Sequence, residues 1–249
     1  MSNTTIVLTM AGLSRRFADA GYTAPKYKLC AHGRTVFSWA VSSLMNFIGD
    51  EFICIMQRSA DAAGFVEAEL RRLGVDRFEL IELDGPTDGQ ATTALLAAPA
   101  IERPDHPVAI YNIDTFCDPS YLRGDLRGAG WIPCFSAPGS SWSFAVADEK
   151  GRVSRTAEKQ RLSDDCSIGL YWFDSFERYG QAYHATYDEK APAPTSGGER
   201  HVAPMYNSLI ADGEPVYLSR VPQPAVVPIG TPAEYEAFVT GAPLPFPIP

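Results

Sequence analysis

"TIVLTMAGLSRRFADAGYTAPKYKL", residues 5–29, is the stretch on which the fold turns. Its first six residues, Thr5 to Met10, are apolar, β-branched and closed by Ala11-Gly12, so they read as a short buried strand. A glycine after a strand lets backbone N–H groups approach an anion. Arg15, Arg16, Lys26 and Lys28 then place cations around the same turn. This pattern suits phosphate, and it equally suits a solvated basic loop. It is neither GxxxxGK[ST] nor GxGxxG, so a P-loop and a dinucleotide fingerprint are both excluded.

Outward from this strand, the periodicity alternates. Phe37, Ala40, Val41, Leu44, Met45 and Ile48 recur at helical spacing, which predicts an amphipathic helix over 35–48. Phe52 to Met56 is a second buried strand, residues 59–73 a second helix ended by Gly74, and Phe78 to Leu83 a third strand. A Gly/Pro/Asp loop leads to a helix from Gln90. Val108 to Ile113 is a fourth strand that runs into Asp114. Strands alternating with helices imply an α/β fold: a three-layer, Rossmann-like, mostly parallel sheet covered on both faces. Ligands bind such sheets beyond the carboxyl ends of the strands, where residues 11–28, residues 84–92 and Asp114 meet.

The second half has shorter strands at 131–136, 142–147, 153–157, 168–173 and 216–218, with helices at 175–187 and 205–211. Composition marks 188–203 as a mobile loop. Thr231 reads as an N-cap with Pro232 at the first helical position, and the tail PLPFPIP suits neither helix nor central strand. No repeat or linker interrupts the chain. Residues 1–249 are therefore expected to form one domain, with a nucleotide-side half over about 1–118 and a mixed β extension over about 119–249.

The 249 residues carry a formal net charge of -9, which argues against a nucleic-acid surface, and 45% apolar residues, enough for a core. Cys30, Cys54, Cys117, Cys134 and Cys166 are scattered without CxxC and read as buried or half-buried thiols in a reducing compartment. The four histidines show no metal-ligand spacing; His201 alone merits attention, for its place in the loop. No run is long enough to span a membrane and no signal peptide is visible, so a cytoplasmic protein is expected. Trp131, Trp142, Tyr171 and Trp172 read as core, and Arg15 and Lys28 as surface charges.

Residue by residue, Met10-Ala11-Gly12-Leu13-Ser14-Arg15-Arg16-Phe17 followed by Pro25-Lys26 resembles the signature loop of sugar-phosphate nucleotidyltransferases, with Ser14 at the family's second glycine. Asp88-Gly89-Gln90-Ala91-Thr92-Thr93-Ala94 resembles the family's nucleobase loop, and Asn112-Ile113-Asp114 its metal-bearing strand end. Glu158-Lys159, Ser167-Ile168-Gly169-Leu170-Tyr171, Tyr206-Asn207 and Gly230-Thr231-Pro232 resemble landmarks of its acceptor half. The likeness covers residues 5 to about 240 and is closest to short proteins found with capsule and surface-polysaccharide genes.

This resemblance implies a GT-A-like nucleotidyltransferase fold and a Mg²⁺-dependent reaction between a nucleoside triphosphate and a phosphorylated small-molecule acceptor. Arg16, Lys26 and Asp114 would be catalytic, with Asp114 on the metal. Ala11, Gly12, Leu13, Ser14, Gly89 and Gln90 would bind the nucleotide. Glu158, Lys159, Gly169 and Asn207 would hold the acceptor, with Lys159 on its phosphate. A homodimer is an expectation from the family alone. Thymidylyltransferases of this kind carry a second metal aspartate where this chain has Pro228; Asn207 or Asp212 are candidates to replace it. A GT-A-type glycosyltransferase and a non-catalytic nucleotide-binding homologue are the competing readings.

Overall fold

The computed structural model describes residues 4–122, 126–187 and 198–242. Strand β1 (Thr5–Met10) leads to the short helix α1 (Arg15–Asp19). A small ribbon, β2 (Cys30–Ala31) with β3 (Arg34–Thr35), precedes α2 (Val36–Ser42). Then come β4 (Glu51–Gln57), α3 (Ala63–Arg72), β5 (Phe78–Leu83), α4 (Gln90–Leu95), β6 (Val108–Asn112) and β7 (Thr115–Cys117). The second half holds β8 (Gly130–Ser136), β9 (Ser143–Ala147), β10 (Val153–Glu158), β11 (Asp165–Ser167), β12 (Leu170–Phe173) and α5 (Phe176–Tyr187). It closes with α6 (Tyr206–Ala211), β13 (Val216–Arg220), β14 (Val226–Pro228) and α7 (Pro232–Thr240).

One ten-stranded sheet runs through both halves in the order β10-β9-β11-β8-β12-β6-β1-β4-β5, with β13 also beside β8. Its first-half strands β6, β1, β4 and β5 are parallel, and β12 joins β6 antiparallel. Alternation along β1 explains the layers. Ile6, Leu8 and Met10 face a core shared with Phe37 and Val41 of α2 and Val66 and Leu70 of α3. Val7 faces the opposite core, with Ala94 of α4, Tyr179 of α5 and Leu209 of α6. Burial on both faces is why these strands read as unbroken apolar runs. The expected three-layer mostly parallel α/β architecture is present.

Several boundaries differ from expectation. The helix expected over 35–48 stops at Ser42, and residues 45–47 form a 3-10 turn. Leu44 and Phe47 are both buried three residues apart, a spacing that a 3-10 turn satisfies as well as an α-helix. The helix expected from 59 begins at Ala63, after a 3-10 turn. The strand expected from 168 begins at Leu170, because Gly169 has φ +88°. The tripeptide of β11 and both ribbons were not expected. Of the loop expected at 188–203, residues 188–197 lie outside the described residues. Residues 198–203 are fixed in part by backbone pairing, with Arg200 N donating to Asp88 O at 2.7 Å and Ala91 N to Arg200 O at 3.0 Å. The PLPFPIP tail also lies outside. Four cysteines are buried, while Cys30 is exposed. Trp131, Tyr171 and Trp172 are core.

Candidate active site

Parallel pairing puts the ends of β1 and β6 side by side, with Thr9 opposite Asn112. The loop after Met10 and the loop holding Asp114 therefore leave the sheet together. The Gln57 side chain, buried at the end of β4, donates to Ala11 O at 2.5 Å and braces the first loop from its other flank. Ser14 adopts φ 49°, ψ 32°, the left-handed conformation that a glycine would take most easily. Its hydroxyl makes no hydrogen bond to α1, which leaves it open to a ligand.

The loop forms one wall of a cleft of ≈640 Å³. Gly12, Leu13, Ser14, Arg15 and Arg16 line it, as do Lys26, Gly89, Gln90, Asn112 and Asp114. Arg15, expected as a surface charge, thus shares the cleft with Arg16. Lys28 does not line it; its ammonium sits 5.5 Å from the Phe65 ring centroid. Lys26 and Asp114 form an ion pair on the cleft wall. Behind Asp114, β14 pairs antiparallel with β7, Pro228 opposite Thr115, and Ile229 N donates to Asp114 O at 2.7 Å. Gly230 is held so close that a Cβ there would lie 3.3 Å from the Asp114 Cβ. Thr231 caps α7 with a reciprocal Glu234 contact, and Glu234 Oε2 also accepts from Gly230 N at 3.1 Å. The expected N-cap therefore also fixes the wall behind Asp114.

Before α4, Gly89 has φ +143°, and a Cβ would collide with the Arg200 backbone. Gln90 Nε2 donates to Thr9 Oγ1 at 3.3 Å. Glu158 ends β10, one residue beyond the expected strand, and Lys159 follows it with φ +52°. The Ser143 hydroxyl donates to Glu158 Oε2, and Tyr171 OH donates to Ser143 Oγ at 3.0 Å. Burial raises the Tyr171 hydroxyl far above its ordinary value, so it remains a donor. Glu158 is thus a networked carboxylate. Gly169 packs so tightly on Asn112 that a side chain would displace the Asn112 amide.

Asn207 requires a correction. It does not line the cleft: its Oδ1 accepts from Thr156 N and its Nδ2 donates to Thr156 O, both at 2.9 Å. Both amide groups bond the Thr156 backbone and so tie α6 to β10, away from the cleft lining. Asp212 is exposed at the end of α6 and does not line the cleft either. His201, singled out among the histidines without a role, does line it, together with the unforeseen Glu199. The only local signal was the histidine itself.

The donors available for a divalent cation are hard oxygens. Asp114 offers a half-buried carboxylate, and two residues earlier Asn112 Oδ1 is buried without a hydrogen-bond partner. Among the described residues there is no cluster of three His, Cys, Asp or Glu side chains. Such a sparse oxygen set fits magnesium, which keeps waters and takes further oxygens from substrate phosphates. Among the described residues, no helix is long and apolar enough to cross a membrane.

No family model matches the chain, nor does any curated protein sequence. Solved structures do. A nucleoside-diphosphate-sugar pyrophosphorylase from Vibrio cholerae is 36% identical, with a TM-score of 0.88 over 95% of this chain and 100% of the other. An inositol-1-phosphate CTP transferase from T. maritima is 16% identical, with a TM-score of 0.73 over 94% of this chain and 92% of the other. A glucose-1-phosphate thymidylyltransferase-like protein from Bacillus anthracis is 16% identical, with a TM-score of 0.71 over 94% and 92%. The two more distant likenesses speak to the fold.

Proposed function

Because the chain belongs to the nucleoside-diphosphate-sugar pyrophosphorylase family of nucleotidyltransferases, we propose that it joins a nucleoside triphosphate to a sugar phosphate, or a similar small phosphate, and releases pyrophosphate. An oxygen of the acceptor phosphate attacks the α-phosphorus, and the bond to the pyrophosphate oxygen breaks. A phosphate monoester has its second pKa near ~6 and is already a dianion at neutral pH, so no general base is needed. What the reaction demands is alignment and neutralised charge.

The residues of the cleft fall into those roles. The Gly12 loop offers backbone donors, and Ser14 its hydroxyl, to the β- and γ-phosphates. Arg16, which makes no ion pair among the described residues, adds a charged fork. Lys26 leaves Asp114 to meet charge growing at the α-phosphate. Gly89 and Gln90 take the base, while Glu158, Lys159 and Gly169, which touch the lining residues His201, Glu199 and Asn112 without lining the cleft themselves, shape the acceptor's place. A divalent ion held by Asp114 would neutralise the α-phosphate oxygens. The observation that carries this reading is the Lys26–Asp114 pair on the wall formed by the Gly12 loop, in one cleft. A cytoplasmic enzyme supplying an activated sugar for a surface glycan, active as a homodimer, extends the proposal on resemblance alone.

The test is a thermal-shift screen of ATP, CTP, GTP, UTP and dTTP, each with and without Mg²⁺, followed by pyrophosphate release over a panel of sugar and polyol phosphates. A triphosphate at 100 times its Kd should stabilise the chain by about 2.7 kcal/mol. Magnesium-dependent stabilisation by one triphosphate, then pyrophosphate release, is the expected result. Stabilisation by nucleotide sugars alone, with no pyrophosphate release, would transfer the assignment to a glycosyltransferase.

A further inference from the structure

Oε2 of Glu199 lies 3.9 Å from Lys159 Nζ and 3.6 Å from His201 Nε2. One anionic oxygen thus lies between an ammonium and an imidazole nitrogen, at distances too long for a hydrogen bond to either. The other ring nitrogen, His201 Nδ1, faces Glu158 Oε1 at 3.7 Å. His201 Nε2 is buried and has no hydrogen-bond partner, which at a cleft wall marks the place of a ligand.

The two halves of this arrangement differ in how firmly they are held. His201 is built in: its carbonyl accepts from Tyr187 OH at 2.5 Å, and the preceding Arg200 pairs with Asp88 and Ala91 through its backbone. Arg200 is itself anchored, its Nε 3.1 Å from Asp88 Oδ2 and its guanidinium donating to Tyr183 OH at 2.7 Å. The Glu199 side chain is 60% exposed and is tethered, among the described residues, only by the two long contacts. A fixed imidazole and a lysine ammonium with a loosely held carboxylate between them is the geometry of an anion site filled by its own chain.

We propose that Lys159 and His201 together bind the phosphate of the acceptor, and that Glu199 fills this place in the free chain and is displaced when the acceptor arrives. The inference rests on the nucleotidyltransferase reading of the cleft and adds His201 and Glu199 to it. A phosphate monoester dianion brings two charges and three oxygens against one charge and two oxygens, and its contacts to charged donors are shorter and stronger. Neutral sugars cannot displace the carboxylate, so the site selects the dianion before any hydroxyl is read.

The probe is inorganic phosphate, titrated at constant ionic strength and followed by the imidazole C2 proton of His201 in NMR spectra of the whole chain, with H201N to assign the signal. Phosphate moves the His201 signal in the wild type. Glu199→Gln reaches the same endpoint at about threefold lower phosphate, the worth of removing one exposed competing charge. Lys159→Ala requires more phosphate. A His201 signal that phosphate leaves unmoved, or a Glu199→Gln variant that needs as much phosphate as the wild type, overturns the inference. Melting temperatures with the five triphosphates are read on the same samples. If triphosphates bind and His201 is silent, the nucleotidyltransferase reading stands and this inference falls. If no triphosphate binds, that reading fails and takes the inference with it.

Discussion

Lys26 and Asp114 form an ion pair in the free chain, and the proposed reaction gives each a separate task. Replacing either with alanine should lower kcat by about 10²-fold or more, because each acts on charge that develops in the transition state. Pyrophosphate release measures the loss, and circular dichroism checks that the fold survives. Activity retained in either variant would remove that residue from the mechanism. Asp114 was legible in the sequence because it follows the end of β6, and strand ends are where a parallel sheet binds its ligands; Lys26, in a 3-10 turn well past β1, was singled out by the resemblance of Pro25-Lys26 to the family's loop. Ser14 was legible for a related reason: a position after Gly12 that must turn left-handed does so with serine here. Glu199 was not legible, because its place depends on the pairing of residue 200 with Asp88, far away in sequence, and no periodicity encodes that contact. Asn207 misled in the other direction. An amide reads the same in sequence whether it faces a ligand or, as here, the backbone of Thr156.

The N-terminus of helix α7 shows what a single element adds. Thr231 Oγ1 accepts from Glu234 N, while the Glu234 carboxylate accepts from Thr231 N at 2.9 Å. Loss of such a cap costs about 1 kcal/mol. For a chain of this length Thr231→Ala should lower Tm by roughly 2–4 °C. Calorimetry tests this, and an unchanged Tm would mean that the packing of Phe238 alone seats the helix. This helix start was readable because threonine before proline is a local signal. Strands β1, β4 and β6 were readable because burial on both faces writes an apolar run, and β5, a half-buried edge strand carrying Glu79 and Glu82, was readable from its remaining apolar residues. Strand β11 was not: Asp165-Cys166-Ser167 has no apolar pattern, and it is a strand because β8 and β9 flank it.

Across the whole molecule, burial governs the thiols and phenols. It raises Cys54, Cys117 and Cys134 above their ordinary 9.0, Cys117 to about 12. It also raises Tyr111, Tyr171, Tyr179, Tyr187 and Tyr206 above 10.0. Groups with raised folded-state values hold protons that the unfolded chain gives up. Their contribution is complete below the unfolded values and is lost as pH climbs past them. The share of stability these groups contribute should therefore be complete below pH 9.0 and decline above it, which denaturant melts from about pH 8 upward will show. A thiol reagent should titrate one cysteine, Cys30, in the native chain and all 5 after unfolding. The wall behind Asp114 has a kinetic consequence. Strands β1, β4 and β6 can pair as soon as residue 112 leaves the ribosome, but Ile229 and Gly230, which close the wall, are synthesised far later. A nascent chain thus carries paired central strands and an open pocket, and its chemistry waits for contacts of very high sequence separation, the slowest kind for folding to make.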